Sequence, residues 1–319
     1  MAPVINICLA SDDNYAKYMG LTVLSVLKSA APEDRLKFYI LGDGITQSSK
    51  DKVESLKKIR DFEIEWFQID INAFKNLQKN HLPYTAYARL LIPQYIKEDR
   101  VLYLDCDIFV RTSLASLFNE KIDSYYACAV EDYFLKNRGY HKKLFSYDSD
   151  NKDHDFYFNS GVLLINVKLW RQEGLQEKLI KRGEDPSWTY VHADQDVINM
   201  TLKGRIKRLD PRWNVMDYFY MPDIFLGEDI FEKLPEIIKN PYIRHFKGWK
   251  KTTLYPGRDE YYKMMLESPW SECAEPDDPK FIAYMKKFFR YMWKHPLCLF
   301  QPKTYKRLYY RGFLGLIRS

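Results

Sequence analysis

Apolar residues occur along the chain in short runs separated by longer amphipathic segments. The runs predict seven strands, at residues 4–10, 37–41, 62–67, 101–110, 125–130, 158–167 and 242–246. Segments predicted to be helical lie between them, at 18–31, 46–60, 85–95 and 192–203. Strands that alternate with helices are typical of a parallel sheet that carries helices on both faces. The pattern therefore predicts an α/β fold.

The composition is that of a globular protein. Hydrophobic residues make up 46% and charged residues 29% of the 319 positions, which excludes disorder over most of the chain. The five cysteines are widely spaced and include no Cys-x-x-Cys pair, which argues against a disulfide scaffold or a structural zinc site and indicates a reducing compartment. We expect no secretory signal, and no helix that spans a bilayer, because no run of about 18 apolar residues occurs.

Basic residues are concentrated at the carboxyl end. Residues 280–319 hold ten Lys or Arg, eleven aromatic residues and no Asp or Glu, whereas the other 279 residues hold 39 basic and 43 acidic ones. Such a tail indicates an anionic partner, and we favour a membrane surface. A helical cap on the rest of the protein and a nucleic-acid patch are the alternatives, and nucleic acid is not expected.

The most informative local pattern is Asp105-Cys106-Asp107, which interrupts the apolar run at 101–110. In an extended segment residues i and i+2 point to the same side, so the two carboxylates converge where the strand leaves the sheet. Ligands of open α/β folds gather at this end of the strands. A divalent cation between the carboxylates would remove their repulsion. A solvated strand end or an arginine partner is the alternative.

Four other segments carry polar groups at the ends of predicted elements. They are Ser11–Tyr15, Thr85–Arg89, Phe158–Val162 and Ala193–Asp196. The first can hold a nucleotide base and ribose, and Arg89 can pair with carboxylates or hold a phosphate. Structural alternatives are capping by the Asp residues, a salt bridge for Arg89, and a β-bulge instead of a close ligand approach at Gly161.

A late segment combines His245 with Lys247, Lys250 and Lys251 around Gly248. The histidine can complete a two-carboxylate metal site, and oxygen plus imidazole ligation suits manganese better than calcium. The lysines can neutralise a diphosphate. A structural histidine and a solvated loop are the alternatives. Dinucleotide, P-loop, zinc-peptidase and α/β-hydrolase functions are disfavoured because the sequence lacks their motifs.

Taken in this order, the segments resemble glycosyltransferase family 8 over roughly residues 4–258. The resemblance rests on A-S-D-D-N-Y, Y-A-R-L, V-L-Y-L-D-C-D, F-N-S-G-V-L-L-I-N, A-D-Q-D and a closing H-F-x-G. Within the family, the chain is most similar to bacterial enzymes that extend lipopolysaccharide or lipooligosaccharide cores with α-linked galactose or glucose. Residues 254–270 and the basic tail strengthen that narrower likeness.

The resemblance implies a GT-A fold, which is a Rossmann-like mixed sheet flanked by helices. Residues 1–258 would form the catalytic domain, and residues 259–319 a helical, aromatic and basic region for membrane association. The implied reaction is a retaining transfer from a UDP-hexose with Mn²⁺, for which Mg²⁺ is the alternative.

Roles for individual residues follow from their positions in the family's motifs. The metal ligands would be Asp105, Asp107 and His245. The donor would contact Ala10, Asp12, Asn14, Tyr15, Arg89, Asp105, Cys106, Asn159, Ser160, Asp194, Gln195, Gly248 and Lys251. The acceptor would lie near His81 and Asp132. The catalytic positions would be Asp194 and Gln195, with Gln195 near the free face of the anomeric carbon.

Two roles, the lysine that binds the diphosphate and the catalytic nucleophile, cannot be assigned directly from the family's motifs. Lys251 has the spacing from His245 that the family's H-F-x-G-x-x-K-P-W motif requires, but no Pro-Trp follows it. It therefore stays open which lysine would bind the diphosphate: Lys247, Lys250 or Lys251. Gln195 is a poor nucleophile, so we expect the acceptor to attack on the same face as the leaving group rather than by double displacement.

The sequence therefore predicts a hexosyltransferase, peripheral on the inner face of the cytoplasmic membrane, that acts on a lipid-linked oligosaccharide or glycolipid. A transferase that modifies a protein hydroxyl is one alternative. A catalytically silent UDP-sugar-binding, membrane-associated protein is the other. The choice of galactose or glucose, the linkage position and the oligomeric state are left open.

Overall fold

The computed structural model describes residues 3–78, 83–145, 156–220, 226–246 and 258–274, together with positions 290 and 293. His81, Gly248 and the three lysines around that glycine lie outside the described residues. So does the basic tail at 280–319, apart from the two single positions. The roles expected of these residues stay predictions.

The described strands form two sheets. They are β1 (Val4–Asp12), β2 (Arg35–Asp43), β3 (Glu63–Gln68), β4 (Arg100–Leu104), β5 (Ile108–Val110), β6 (Ala127–Glu131), β7 (Phe158–Asn166), β8 (Ile206–Arg208), β9 (Val215–Met216) and β10 (Ile243–His245). The main sheet has the order β3-β2-β1-β4-β7-β6-β8, and β5-β10-β9 form a small second sheet. Neighbours in the main sheet are parallel except at β7, which is antiparallel to β4 and β6.

The mixed sheet is confirmed, but the purely parallel pattern is wrong at β7. A strand that is buried on both faces has a continuous apolar sequence whichever way it runs. The residue pattern at 158–167 therefore carries no information about direction. The reversal matters for the site, because it brings the start of β7 to the same edge of the sheet as the carboxyl ends of β1 and β4.

The described α-helices are α1 (Ala16–Ser29), α2 (Gln47–Glu54), α3 (Ile92–Tyr95), α4 (Ala115–Phe118), α5 (Tyr133–Asn137), α6 (Tyr140–Phe145), α7 (Val167–Gln172), α8 (Leu175–Glu184), α9 (Ala193–Leu202), α10 (Glu228–Phe231), α11 (Leu234–Lys239) and α12 (Arg258–Leu266). The segment predicted to be helical at 85–95 is a 3-10 helix, Tyr84–Leu91, followed by α3. Within the described residues, no helix is both long and apolar enough to cross a bilayer.

Two hydrophobic cores lie on opposite faces of the main sheet, and β4 contributes to both. Leu102 and Leu104 belong to the core that contains the apolar residues of α1, whereas Val101 and Tyr103 belong to the core that contains those of α8 and α9. Successive strand residues point to opposite faces, so a strand that is covered on both sides needs apolar side chains at every position. This is why residues 101–104 form an unbroken apolar run.

The apolar run at 101–110 is two strands rather than the single strand that was predicted. The chain leaves the main sheet after Leu104, turns at Cys106 and Asp107, and enters the second sheet at Ile108. The hydroxyl of Thr22 on α1 lies 2.9 Å from the carbonyl oxygens of Cys106 and Ile108 and donates to them. The two carboxylates thus lie at the point where the chain passes between sheets, and α1 supports that turn.

Residues 258–274 pack on α1. Trp270 is buried, and a Cβ placed on Gly20 would lie 2.2 Å from its ring. Met264 and Met265 belong to the same core as the apolar residues of α1. Glycine at position 20 therefore lets the indole lie directly against the helix backbone. The proposed division of the chain at residue 258 stays a prediction.

We expect Trp270→Ala to lower the free energy of unfolding by about 3–5 kcal/mol, because it removes a large buried side chain and leaves a cavity against α1. Leu266→Ala is the matched control: Leu266 is 48% exposed on α12, so its loss should change the value by no more than about 0.5 kcal/mol. Urea denaturation measures both. If Trp270→Ala lowered the free energy of unfolding no more than Leu266→Ala does, residues 258–274 would not unfold together with the sheet.

Candidate active site

A cleft of about 630 Å³ opens at the edge of the main sheet where β1 and β4 end and β7 begins. Nearly all of the predicted site residues in the described part of the chain line it: Ala10, Asp12, Tyr15, Arg89, Asp105, Cys106, Asp107, Asp132, Asn159, Ser160, Asp194, Gln195 and His245. Asn14 is exposed and is not among the residues that line the cleft. Motifs that are far apart in sequence therefore meet in one place.

Asp105, Asp107 and His245 form a cluster in which the potential ligand atoms all lie within 4.8 Å of one another. The Nε2 atom of His245 is 3.1 Å from Oδ1 of Asp107 and 3.8 Å from Oδ2 of Asp105. Two carboxylates and one imidazole are a donor set suited to a divalent transition metal. The residues present therefore fit a divalent cation.

The second sheet brings the histidine to the carboxylates. Strand β10 runs antiparallel to β5, with His245 opposite Ile108, and the backbone amide of Phe246 donates to the carbonyl of Asp107 at 2.9 Å. Burial alone would lower the pKa of His245, but the carboxylates of Asp107 and Asp105 raise it above its ordinary value. The cluster thus attracts a positive charge, as a cation site should.

Gly161 on β7 makes room for this cluster. A Cβ at that position would lie 2.3 Å from Cε1 of His245 and 2.6 Å from Oδ2 of Asp105. The close approach expected at this glycine is therefore made by the side chains of the cluster. The register between β6 and β7 also shifts here: Ala129 pairs with Leu163 and Glu131 with Phe158, so the extra residues of the irregularity, Gly161 among them, lie on β7. The β-bulge alternative at Gly161 is therefore observed together with the close approach.

Arg89 is a buried link between two acidic residues of the cleft. Its Nη2 atom donates to Oδ1 of Asp105 at 2.8 Å, and its Nε atom is 3.1 Å from Oδ2 of Asp194. Nη1 donates to the carbonyl of Ser160 at 2.6 Å, and the guanidinium stacks on the ring of Tyr103. Arg89 therefore forms the salt bridges that were the structural alternative, and it forms them inside the cleft.

The side chain of Gln195 is held on both sides. Its Oε1 accepts from Nδ2 of Asn159 at 2.9 Å and from the backbone amide of Ser160 at 3.2 Å. Its Nε2 donates to the hydroxyl of Tyr157 at 3.1 Å and to Oδ2 of Asp132 at 3.4 Å. The first residue of α9 is strained, because Ala193 has φ of 47°, a region that L-residues rarely adopt. Strain next to Asp194 and Gln195 is consistent with a functional constraint on their placement.

The segment after β1 combines capping with exposure to the cleft. Oδ1 of Asp12 accepts from the backbone amide of Tyr15 at 2.9 Å, which is the capping arrangement. Tyr15 is 39% exposed, so its ring is available to a ligand in the cleft that it lines. Cys106 donates from Sγ to the carbonyl of Ala10 at 3.1 Å and thereby ties this segment to the turn between the two sheets.

Two buried residues next to the site were not predicted: Asn214 and Tyr157. Asp196 was expected to cap α9, and its Oδ2 accepts from the backbone amide of His192 at 2.8 Å. Asn214 precedes β9, and its Oδ1 lies 2.9 Å from Nδ1 of His245. Tyr157 donates to Oδ1 of Asp196 at 2.5 Å. The sequence around Asn214 shows no motif or spacing that could identify it. Tyr157 directly precedes the F-N-S-G motif, and that adjacency was the available signal.

The chain is similar to proteins of known family. The model described as "Glycosyl transferase family 8" matches residues 6–253. General stress protein A of Bacillus subtilis is 31% identical over 288 residues, which cover 86% of this chain and 97% of that protein. Lipopolysaccharide 1,3-galactosyltransferase of Salmonella typhimurium is 29% identical over 280 residues, which cover 86% of this chain and 81% of that protein. The structure of the galactosyltransferase LgtC with donor and acceptor sugar analogs matches with a TM-score of 0.70 at 26% identity, covering 88% of this chain and 100% of that one.

Asp194 should give the protein a measurable pH dependence. Burial raises the pKa of its carboxyl from 3.8 to about 6, although Arg89 acts in the opposite direction. Between about pH 4 and pH 6, the unfolded chain has lost this proton while the folded protein retains it, so the contribution to stability falls as the pH rises. A pKa of about 6 in place of 3.8 corresponds to about 3 kcal/mol of stability.

The measurement is the free energy of unfolding in urea from pH 4 to pH 7, for the wild type and for Asp194→Asn. We expect the wild type to lose stability relative to the variant as the pH rises to about 6, and the difference then to level off. Parallel curves would show that the Asp194 carboxyl ionises as it does in the unfolded chain.

Proposed function

The chain belongs to glycosyltransferase family 8 and has the GT-A fold, and we propose that it transfers galactose or glucose from a UDP-sugar to a hydroxyl of a lipid-linked oligosaccharide, with retention of configuration. The observation that carries the proposal is the cluster of Asp105, Asp107 and His245 in the cleft, with Asp194 and Gln195 lining the same cleft. Two relatives are named as lipopolysaccharide galactosyl- and glucosyltransferases, which supports the substrate class and leaves the hexose open.

The donor would extend along the cleft from the end of β1 to the start of α9. Ala10, Asp12, Asn14 and Tyr15 would hold uridine, with the half-exposed ring of Tyr15 against the base. Asn159, Ser160, Asp194 and Gln195 would surround the hexose. Arg89 is always charged and would hold Asp105 and Asp194 in position beside the donor. Gly248 and one of Lys247, Lys250 and Lys251 would bind the diphosphate.

A divalent cation would be held by Asp105, Asp107 and His245. Mn²⁺, or Mg²⁺ in its place, would supply positive charge that stabilises the departing diphosphate. The chain contributes to this arrangement by keeping both carboxylates and the imidazole within one small volume. Gly161 excludes any side chain that would displace them.

Retention would proceed by attack on the same face as the leaving group. The bond from the anomeric carbon to the diphosphate oxygen breaks, a bond to the acceptor oxygen forms, and the acceptor's proton passes to a phosphate oxygen. The contacts of Gln195 and Asp194 support this route. Gln195 is an amide with both ends hydrogen-bonded, and Oδ2 of Asp194 is engaged by Arg89 and by the hydroxyl of Ser160. Neither is presented as a free nucleophile.

The acceptor would enter beside Asp132, which is buried and whose pKa is raised by that burial. His81 is the second residue proposed to contact it. A transferase that modifies a protein hydroxyl would use the same cleft and is the competing function.

Attachment to the inner face of the cytoplasmic membrane through residues 280–319 completes the proposal. Truncation at residue 280 that left binding to anionic vesicles unchanged would contradict this last part.

We expect the wild type to release UDP from one UDP-hexose in the presence of Mn²⁺, and Asp105→Asn to reduce that rate by about 100-fold or more, because the variant removes a charged ligand of the diphosphate-binding cation. A coupled assay for UDP across a panel of UDP-sugars measures both. Asp123→Asn is the control, since Asp123 is exposed and outside the cleft. A rate that is unaffected by Asp105→Asn and by chelator would contradict the metal-dependent transfer.

We also expect the product to be a glycolipid that has gained one hexose in α linkage. Mass spectrometry of lipid-linked oligosaccharide and of protein fractions, followed by NMR of the anomeric proton, measures the acceptor class and the configuration. A hexose found on protein would favour the competing function. A glycosyl adduct trapped on Asp194 would contradict same-face attack.

A further inference from the structure

Five hydrogen bonds run in one direction from the metal-site histidine into the core. Nδ1 of His245 donates to Asn214, whose amide donates to Asn159, whose amide donates to Gln195, whose amide donates to Tyr157, whose hydroxyl donates to Asp196. The donor–acceptor distances along this chain are 2.9, 2.7, 2.9, 3.1 and 2.5 Å. All six side chains are more than nine-tenths buried. The chain therefore joins the metal site to Gln195 through side chains that have little exposure to water.

Two backbone amides fix the direction of this chain. The amide N–H of Gly161 donates to Oδ1 of Asn159 at 3.0 Å, and the amide N–H of Ser160 donates to Oε1 of Gln195 at 3.2 Å. A backbone N–H can only donate, so both of these side-chain atoms must be oxygens and their amide nitrogens must point the other way. The orientations of Asn159 and Gln195 are thus determined by their surroundings.

The orientation of Asn214 follows from that of Asn159. The oxygen of Asn159 must be met by a donor, so Asn214 presents Nδ2 to it and leaves Oδ1 facing His245. An oxygen at this position requires a proton on Nδ1 of the imidazole. In the neutral ring, the lone pair is then on Nε2, which is the atom that faces Asp105 and Asp107.

We propose that Asn214 is a positioning residue for the metal site and for Gln195 together. It holds His245 in the tautomer whose Nε2 can bind a cation, and it holds in place the side chain of Asn159, which donates to Gln195. This inference rests on the proposed function, in that the cluster of Asp105, Asp107 and His245 binds a divalent cation. Partners of metal-bound histidines affect the cation through ring orientation and basicity.

The fold builds this contact into the second sheet. Asn214 ends a 3-10 helix, Pro211–Asn214, and β9 begins at the next residue. Strand β9 is parallel to β10, with Met216 opposite His245. The pairing of these two short strands therefore sets the distance between Asn214 and the imidazole.

The first test is Mn²⁺ binding without donor, followed by the electron paramagnetic resonance signal of free Mn²⁺. We expect Asn214→Ala to weaken binding by about 10- to 100-fold. Asn214→Asp should bind within about threefold of the wild type, because a carboxylate still accepts from Nδ1. Asn166→Ala is the matched control, since Asn166 lies at the other end of β7 and caps α7.

The second test separates the two halves of the proposal. Asn214→Asp cannot donate to Asn159 as an ionised carboxylate, and its second oxygen would repel Oδ1 of Asn159, which lies 2.7 Å from the amide that it replaces. The side chain of Asn159, which donates to Gln195, is then displaced. We expect kcat for hydrolysis of the UDP-hexose to fall at least about tenfold while Mn²⁺ affinity is kept. Unchanged kcat in this variant would overturn the link to Gln195.

The third test needs no variant. In wild-type protein loaded with diamagnetic Cd²⁺, nitrogen NMR of the histidine rings should show the proton of His245 on Nδ1. A proton on Nε2, or wild-type Mn²⁺ affinity in a folded Asn214→Ala, would overturn the inference while leaving the proposed function intact. Failure of the wild type itself to bind Mn²⁺ would instead overturn the metal assignment on which both depend.

Discussion

Two carboxylates held side by side at the end of buried strands repel each other, and the cleft is built around the positive groups that offset this repulsion. Arg89 meets Asp105 from one side and His245 faces both carboxylates from the other. The guanidinium belongs to a 3-10 helix near the main sheet, and the imidazole belongs to the second sheet. The repulsion between Asp105 and Asp107 is therefore offset only when both sheets are correctly placed.

The strand that carries His245 is itself held by a buried ion pair. Arg244 lies between the rings of Tyr220 and Phe246 and donates to Asp217 at 3.0 Å and to the carbonyl of Val215. A fully buried guanidinium is tolerated only with such partners, since removing one of them would leave a charge without compensation. The three-residue strand β10 is too short to be rigid by pairing alone, and these contacts fix the position of its last residue.

Much of the site could be predicted from the sequence because its motifs lie at the ends of elements. The carboxyl ends of β1 and β4 and the start of β7 share one edge, so A-S-D-D-N-Y, D-C-D and F-N-S-G had to meet once the sheet was formed. The direction of β7 could not be predicted, because a buried strand shows the same apolar pattern in either direction. The break after Leu104 was not predicted, because apolar residues resume at Ile108 and the two carboxylates between them also fit one extended strand. Asn214 could not be recognised either, since its importance lies in what its amide touches and not in its spacing.

The packing of Trp270 on Gly20 has a consequence for biosynthesis. Helix α1 lies near the amino terminus, yet the residue that covers its backbone at Gly20 is translated some 250 positions later. Domains made on the ribosome tend to fold from the amino end, so this apolar face stays open to solvent, and to other nascent chains, while most of the sheet is already being assembled. The same helix supports the turn at Cys106 through Thr22. Trp270 is therefore synthesised long after the acidic residues at that turn. Helix α1, which supports the turn, is fully covered only when this residue has been made.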